Sequence, residues 1–148
     1  MATLFDEVDS YLTNIKQAID FVLVRDVAPA VVDRIENSAE TNVYAAYEPS
    51  QYRRRMSLNQ DNAYDRSASG MTLTIENTTV GNSSQIGEGY DSGQIGDIIE
   101  SGIGYHWHNS RIYRNTQPRP WMENGLDDAI KDHSAENALE SGLLSLGF

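Results

Sequence analysis

The stretch IIESGIGYHWHNSRIYRNTQPRPWMENGLDDAI, residues 98–130, passes from an apolar turn through an aromatic and basic arm into an amphipathic helix. Gly102 and Gly104 close the apolar turn, and the arm then carries Tyr105, Trp107, Arg111, Tyr113 and Arg114. Pro118-Arg119-Pro120 punctuates the end of the arm. Proline fixes its own φ near the helical value and drives the residue before it out of the helical region. Arg119 is therefore expected in an extended approach and Pro120 at a helix start. From there Trp121, Met122, Gly125 and Ala129, with Ile130 at the margin, share one face, while Asp127, Asp128 and Lys131 lie opposite. An arm feeding a docked helix is a connecting and binding element, not an active site.

On the C-terminal side, Ser134-Ala135-Glu136 opens a last helical pattern with Leu139, Leu143, Leu144 and Leu146. Left in solvent these leucines would form an apolar patch, so they are expected to pack on a partner or on the domain's own core. The chain is read as one domain over residues 1–133 with a C-terminal tail over residues 134–148. On the N-terminal side, residues 95–101 read as one or two helical turns capped by Gly102. Residues 78–94 are rich in Gly, Ser and Asn, a long loop of the kind that is functional or mobile. Residues 71–77 alternate Met71, Leu73 and Ile75 with Thr72, Thr74 and Glu76, the clearest strand in the chain. Residues 58–70 are polar and carry turn chemistry, which predicts a loop. Val43-Tyr44-Ala45-Ala46-Tyr47 fits another strand, stopped by Pro49.

Residues 3–24 predict a long helix. Leu4, Val8, Tyr11, Ile15, Ala18 and Val22 recur at alternating spacings of four and three, and Phe5, Leu12 and Ile19 widen the stripe. Thr3 and Asp6 form a capping pair, and Asp6, Glu7 and Asp9 suit the positive helix end. The stripe is expected to face the core, with a partner-binding helix as the alternative. Pro29 breaks or restarts the pattern, and residues 30–39 continue it as a bent second piece with Val31, Val32 and Ile35 inward. The fold class is α+β: a long N-terminal helix packed on a small, mostly antiparallel sheet, with long flexible loops and a short C-terminal helix.

The charge is lopsided, 22 acidic against 11 basic residues in 148, for a formal net charge of −11. Such a chain does not bind nucleic acid through its whole surface. Arg53-Arg54-Arg55 is the only strongly basic cluster. Guanidinium forks match carboxylates two bonds at a time, so its functional reading is a clamp on acidic groups of a neighbouring subunit; a solvated charge run is the bland alternative. Three arginines without a wider basic field give only a weak pull on DNA. No apolar run approaches the ~20 residues of a membrane span. The first residues lack the basic start of a signal peptide, and there is no cysteine, which together fit assembly in the cytoplasm.

Catalytic signals are sparse. His106-Trp107-His108 would place two imidazoles on one face of a strand, but a third metal ligand, His133 or Asp91, would have to arrive through folding. Phosphate-loop, nucleophile-elbow and His-Glu-x-x-His patterns do not occur. Asp127 and Asp128 are adjacent, so on a helix they diverge by about 100° and do not form a carboxylate pair. No catalytic, cofactor or metal residue is assigned.

The glycine-bounded turn, the arm and the Pro-Arg-Pro-aromatic-Met segment resemble the tail-completion or tail-terminator proteins of long-tailed bacteriophages. So does the tyrosine/arginine segment upstream: Val43-Tyr44, Tyr47-Glu48-Pro49, Tyr52-Arg53-Arg54 and Leu58. The chain departs from that pattern at Ser57-Leu58-Asn59, where the family has a glycine-rich turn, and beyond Asp132. The resemblance implies a structural virion protein of the tail neck, assembled in the host cytoplasm. It would form a hexameric ring at the head-proximal end of the tail. That ring would end the tail tube, contact the tube protein and the head-closure or connector protein, and pass genome DNA through its lumen without specific binding. Subunit or partner contacts fall on Arg53, Arg54, Arg55, Tyr105, Trp107, Arg111, Tyr113 and Arg114, with no membrane and no cofactor. The alternatives are another neck or minor capsid component, such as an adaptor or head-closure protein, and a small metal-dependent enzyme built on His106 and His108.

Overall fold

A computed structural model describes residues 3–46, 56–79, 95–102 and 117–148. Its dominant feature is an unbroken helical rod over residues 4–44. Helix α1 (Leu4–Val22) opens with the expected capping box, in which the Thr3 hydroxyl accepts from the Asp6 amide and the Asp6 carboxylate accepts from the Thr3 amide. A π turn, Leu23–Val27, joins it to α2 (Ala28–Ala39), and a second, Glu40–Tyr44, ends the rod. Pro29 explains the first. It has no N–H to offer the carbonyl four residues back, and the wider turn, with the Ala28 amide bonded to the Leu23 carbonyl, carries the chain past it. The apolar face survives because the spacing widens with the turn, from Val22 to Val27.

Val31, Val32 and Ile35 are buried as expected. The strand expected at Val43-Tyr44-Ala45-Ala46-Tyr47 is corrected for its described residues, since Val43 and Tyr44 belong to the second π turn. Val43 lies four residues after buried Ala39 and stays on the core side of the rod, so packing outweighs its β preference.

Among the described residues the sheet is a single antiparallel hairpin, β1 (Tyr64–Ser69) against β2 (Thr72–Asn77). Residues 58–70, expected as loop, instead hold two 3-10 turns and all of β1. Met71 is not a strand residue: with Gly70 it forms the two-residue turn, at φ 63° and 60° respectively. Positive φ at both central positions is the type I′ geometry that matches strand twist. The Asp20 carboxylate accepts from both turn amides, Gly70 at 3.1 Å and Met71 at 2.6 Å. That clamp fixes the hairpin to the rod where α1 meets the π turn.

The remaining helices, α3 (Ile95–Ser101), α4 (Trp121–Lys131) and α5 (Ser134–Ser145), close the core. Helix α4 lies against α2 so closely that a Cβ on Gly125 would sit 2.4 Å from Ile35 Cα. Trp121 is fully buried and meets the Tyr64 ring edge-on, with centroids 6.0 Å apart. A helix-start tryptophan beside Met122 and Gly125 is expected against the apolar stripe of Leu4 to Val22; the structure places it where α4 meets α2 and the hairpin instead. Helix α5 docks on the π turn, α1, α2 and α4, with Ala135, Ala138, Leu139 and Leu143 partly buried on the core. Arg34 and the Ser134 amide both bond Asp132, tying α2 to the α4–α5 joint. Hydrogen bonds from Ser134, with help from Arg34, hold the Asp132 carboxyl below its ordinary value.

Candidate functional site

Every residue expected at an interface lies outside the described residues: Arg53, Arg54, Arg55, Tyr105, Trp107, Arg111, Tyr113 and Arg114. So do His106, His108 and Asp91. His133 is described, at the α4–α5 joint, where its Nδ1 sits 2.7 Å from Glu136 Oε2. Among the described residues no group of three metal-ligating side chains comes together. No described helix is long and apolar enough to cross a membrane.

What the structure does place are the points from which these segments leave and to which they return: the first and third pairs are bonded across and the second is in close contact. The arginine segment departs after Ala46 and returns at Met56; across its base the Leu58 amide donates to the Tyr44 hydroxyl at 2.9 Å. The Gly/Ser-rich segment departs after Thr79 and returns at Ile95. Across that base Gly96 lies against the Asn77 side chain, whose Oδ1 also accepts from the Thr79 amide. The aromatic arm departs after Gly102, at φ 69°, and returns at Gln117. Across its base the Arg119 amide donates to the Ile99 and Glu100 carbonyls at 3.1 and 3.2 Å.

Glu100 reinforces the third base. Helix α4 begins at Trp121 with Pro120 as a cap that offers no side-chain bond, which leaves the first amides of α4 exposed as donors. The Glu100 carboxylate accepts two of them, from Met122 at 3.0 Å and Glu123 at 3.2 Å. A negative charge at the positive end of a helix is favourable as well as bonded.

All three bases border one buried group, Tyr64. Its hydroxyl donates to the Leu58 carbonyl at 2.6 Å, and its surroundings include Tyr44, Asn77 and Glu100, one residue from each base. Burial first, then the nearby Glu36 charge, pushes the phenol above its ordinary value. Glu36 is itself raised, by burial and by Asp61 and Asp33, with Arg66 opposing. The sequence named the residues of the arm and the arginine cluster but gave no sign that their anchors converge; the signal was Tyr64, hidden in a stretch read as loop.

A second feature departs from the expectation that the α1 stripe faces the core. From Thr3 to Asn14 every side chain of α1 is exposed, including Leu4 at 73 %, Phe5 at 81 % and Tyr11 at 61 %. The core reading holds only for the end of the stripe, where Val22 is buried. A depression along Asp6, Glu7, Ser10, Tyr11 and Asn14 is lined by this one helix, and among the described residues no second element closes it. Leu144, Leu146 and Phe148 at the end of α5 are exposed too.

The YomN family matches residues 5–145, nearly the whole chain. Neither a curated protein nor a solved structure matches it. The chain belongs to the YomN family, which is phage-derived.

Proposed function

We propose that this YomN-family chain is a structural virion protein that forms a ring, six copies in the simplest case, at the head-proximal end of a phage tail. The ring ends growth of the tail tube, seals it and presents the surface on which the head connector docks. The observation that carries the assembly part of this reading is the apolar surface left in solvent on α1 and at the end of α5. Folded chains that act alone rarely expose contiguous apolar patches beyond a few hundred Å². The phage-derived family supports a place in a virion, and the resemblance of the arm and the tyrosine/arginine segment supports the tail station.

In this reading the role is mechanical, not catalytic. The arginine segment and the arm reach out from the bonded bases around Tyr64 to neighbouring subunits, the tube protein and the head-closure protein. The net charge of −11 gives a lumen that repels DNA and lets it pass. Assembly takes place in the host cytoplasm. A phage lacking this gene is expected to accumulate filled heads and separate tails of irregular length, rescued by the gene in trans. Infectious, normally joined particles from the deletion, or purified virions without the protein, would overturn the proposal.

A further inference from the structure

Helix α1 carries one sequence period that runs from its exposed first half into the subunit core. Val8, Ile15 and Val22 fall seven apart, as do Leu4, Tyr11 and Ala18 between them. This is a repeat of about 3.5 residues, the period at which helices wind on one another with side chains set knob into hole. Phe5, Leu12 and Ile19 also fall seven apart and border the seam. A seam flanked on one side by a further apolar row is broader than one neighbouring helix covers. The charged side chains Asp6, Asp9, Lys16 and Asp20 sit away from it on the outer face, and Glu7 alone lies beside it.

That charge placement selects the occupant. Copies of a chain with net charge −11 repel one another over most of their surface. In a parallel pairing Glu7 faces Leu12 of the next copy rather than another carboxylate, so the seam is a place where copies meet without like charges in contact. A basic partner would find Glu7 alone beside the seam to pair with. The chain's own segments 47–55 and 80–94 are interrupted by proline or glycine and carry no seven-residue apolar repeat, and segment 103–116 carries one such step alone, Tyr105 to Ile112, too short to cover the seam.

We infer that the α1 helices of several copies pack in parallel along this seam, forming a helical bundle that holds the assembly together. The inference rests on the ring reading for the parallel sense, because cyclic symmetry points the same element of every copy in one direction along the axis. The last part of the seam, Ile15 to Val22, enters the subunit core, so the bundle is continuous with the domain it joins.

The chain has no cysteine, so single cysteines report on this directly. Under mild oxidant, full-length Tyr11→Cys, on the seam, is expected to cross-link to a second copy, and Thr13→Cys, on the outer face, to stay uncross-linked. Sedimentation of Val8→Glu/Leu12→Glu is expected to fall from an oligomer to the 16.5 kDa monomer, with the thermal melt of the subunit unchanged because both side chains are exposed. A ring that persists in the double variant, or equal cross-linking at both cysteines, overturns the inference and leaves the ring reading standing. A wild-type protein that sediments as a dimer, with Tyr11→Cys cross-linking, supports the seam and overturns the ring. A wild-type monomer whose melt drops in the double variant means the chain covers its own seam, and overturns both.

Discussion

Trp121 and Gly125 show how single residues set the join between rod and cap. Gly125 lets α4 approach Ile35 to backbone contact, and that approach closes the pocket in which Trp121 is sealed against Tyr64. Truncating a buried tryptophan costs about 3–5 kcal/mol, a large share of a stability of roughly 5–15 kcal/mol. Trp121→Ala is expected to unfold the subunit or lower its melting temperature sharply; a melt like wild type would remove Trp121 from the core. Tyr64 gives a pH dependence of known sign. Its folded pKa lies above the ordinary value, so its contribution is fully present below about pH 10 and is lost as pH rises through the folded value. Thermal melts should fall between pH 9 and 12 (about the phenol range), and less steeply in Tyr64→Phe. At this scale the sequence was legible where chemistry is local: the Thr3–Asp6 cap and the burial of Trp121 followed from residue type and spacing. What lay opposite Trp121 did not, because periodicity reports which residues turn inward and not which element they meet.

Among the elements, the rod and the hairpin differ in how far the sequence disclosed them. Helix α2 was legible because Val31, Val32 and Ile35 recur on one face. The π turn had a signal too, the five-residue step from Val22 to Val27 just before Pro29, which a helix of regular pitch does not keep on one face. Strand β1 was illegible because Tyr64, Arg66 and Ala68 make a weak apolar alternation, and the turn used Gly-Met where Asn-Gly is the usual sign. The hairpin's attachment depends on Asp20, a rod residue whose role no local pattern reveals. Removing its carboxylate frees two turn amides; hydrogen bonds to a charged group contribute about 1.5–3 kcal/mol when well shielded, and less here because the turn is exposed. Asp20→Ala is expected to speed amide exchange at Gly70 and Met71 while α2 amides keep their protection. Unchanged exchange in the turn would show that the hairpin holds its place without the clamp.

For the whole molecule, the ends of three segments meet around one buried tyrosine, and the first half of α1 leaves its apolar stripe exposed. The arm and the arginine cluster, which lie outside the described residues, were legible as distinct segments by composition alone. Their common root was not, since it depends on β1 bringing Tyr64 beside Tyr44, Asn77 and Glu100. If the arginines clamp neighbouring carboxylates, Arg53→Glu/Arg54→Glu should melt like wild type yet assemble more weakly, and added salt should narrow the difference by screening. Equal assembly at low salt would count against the clamp. The central claim, that this chain works as a ring, is tested most directly by electron micrographs of the purified full-length protein. Closed rings of uniform copy number with a central hole are the expected result. A field of single small particles at concentrations well above those of an infected cell would contradict it.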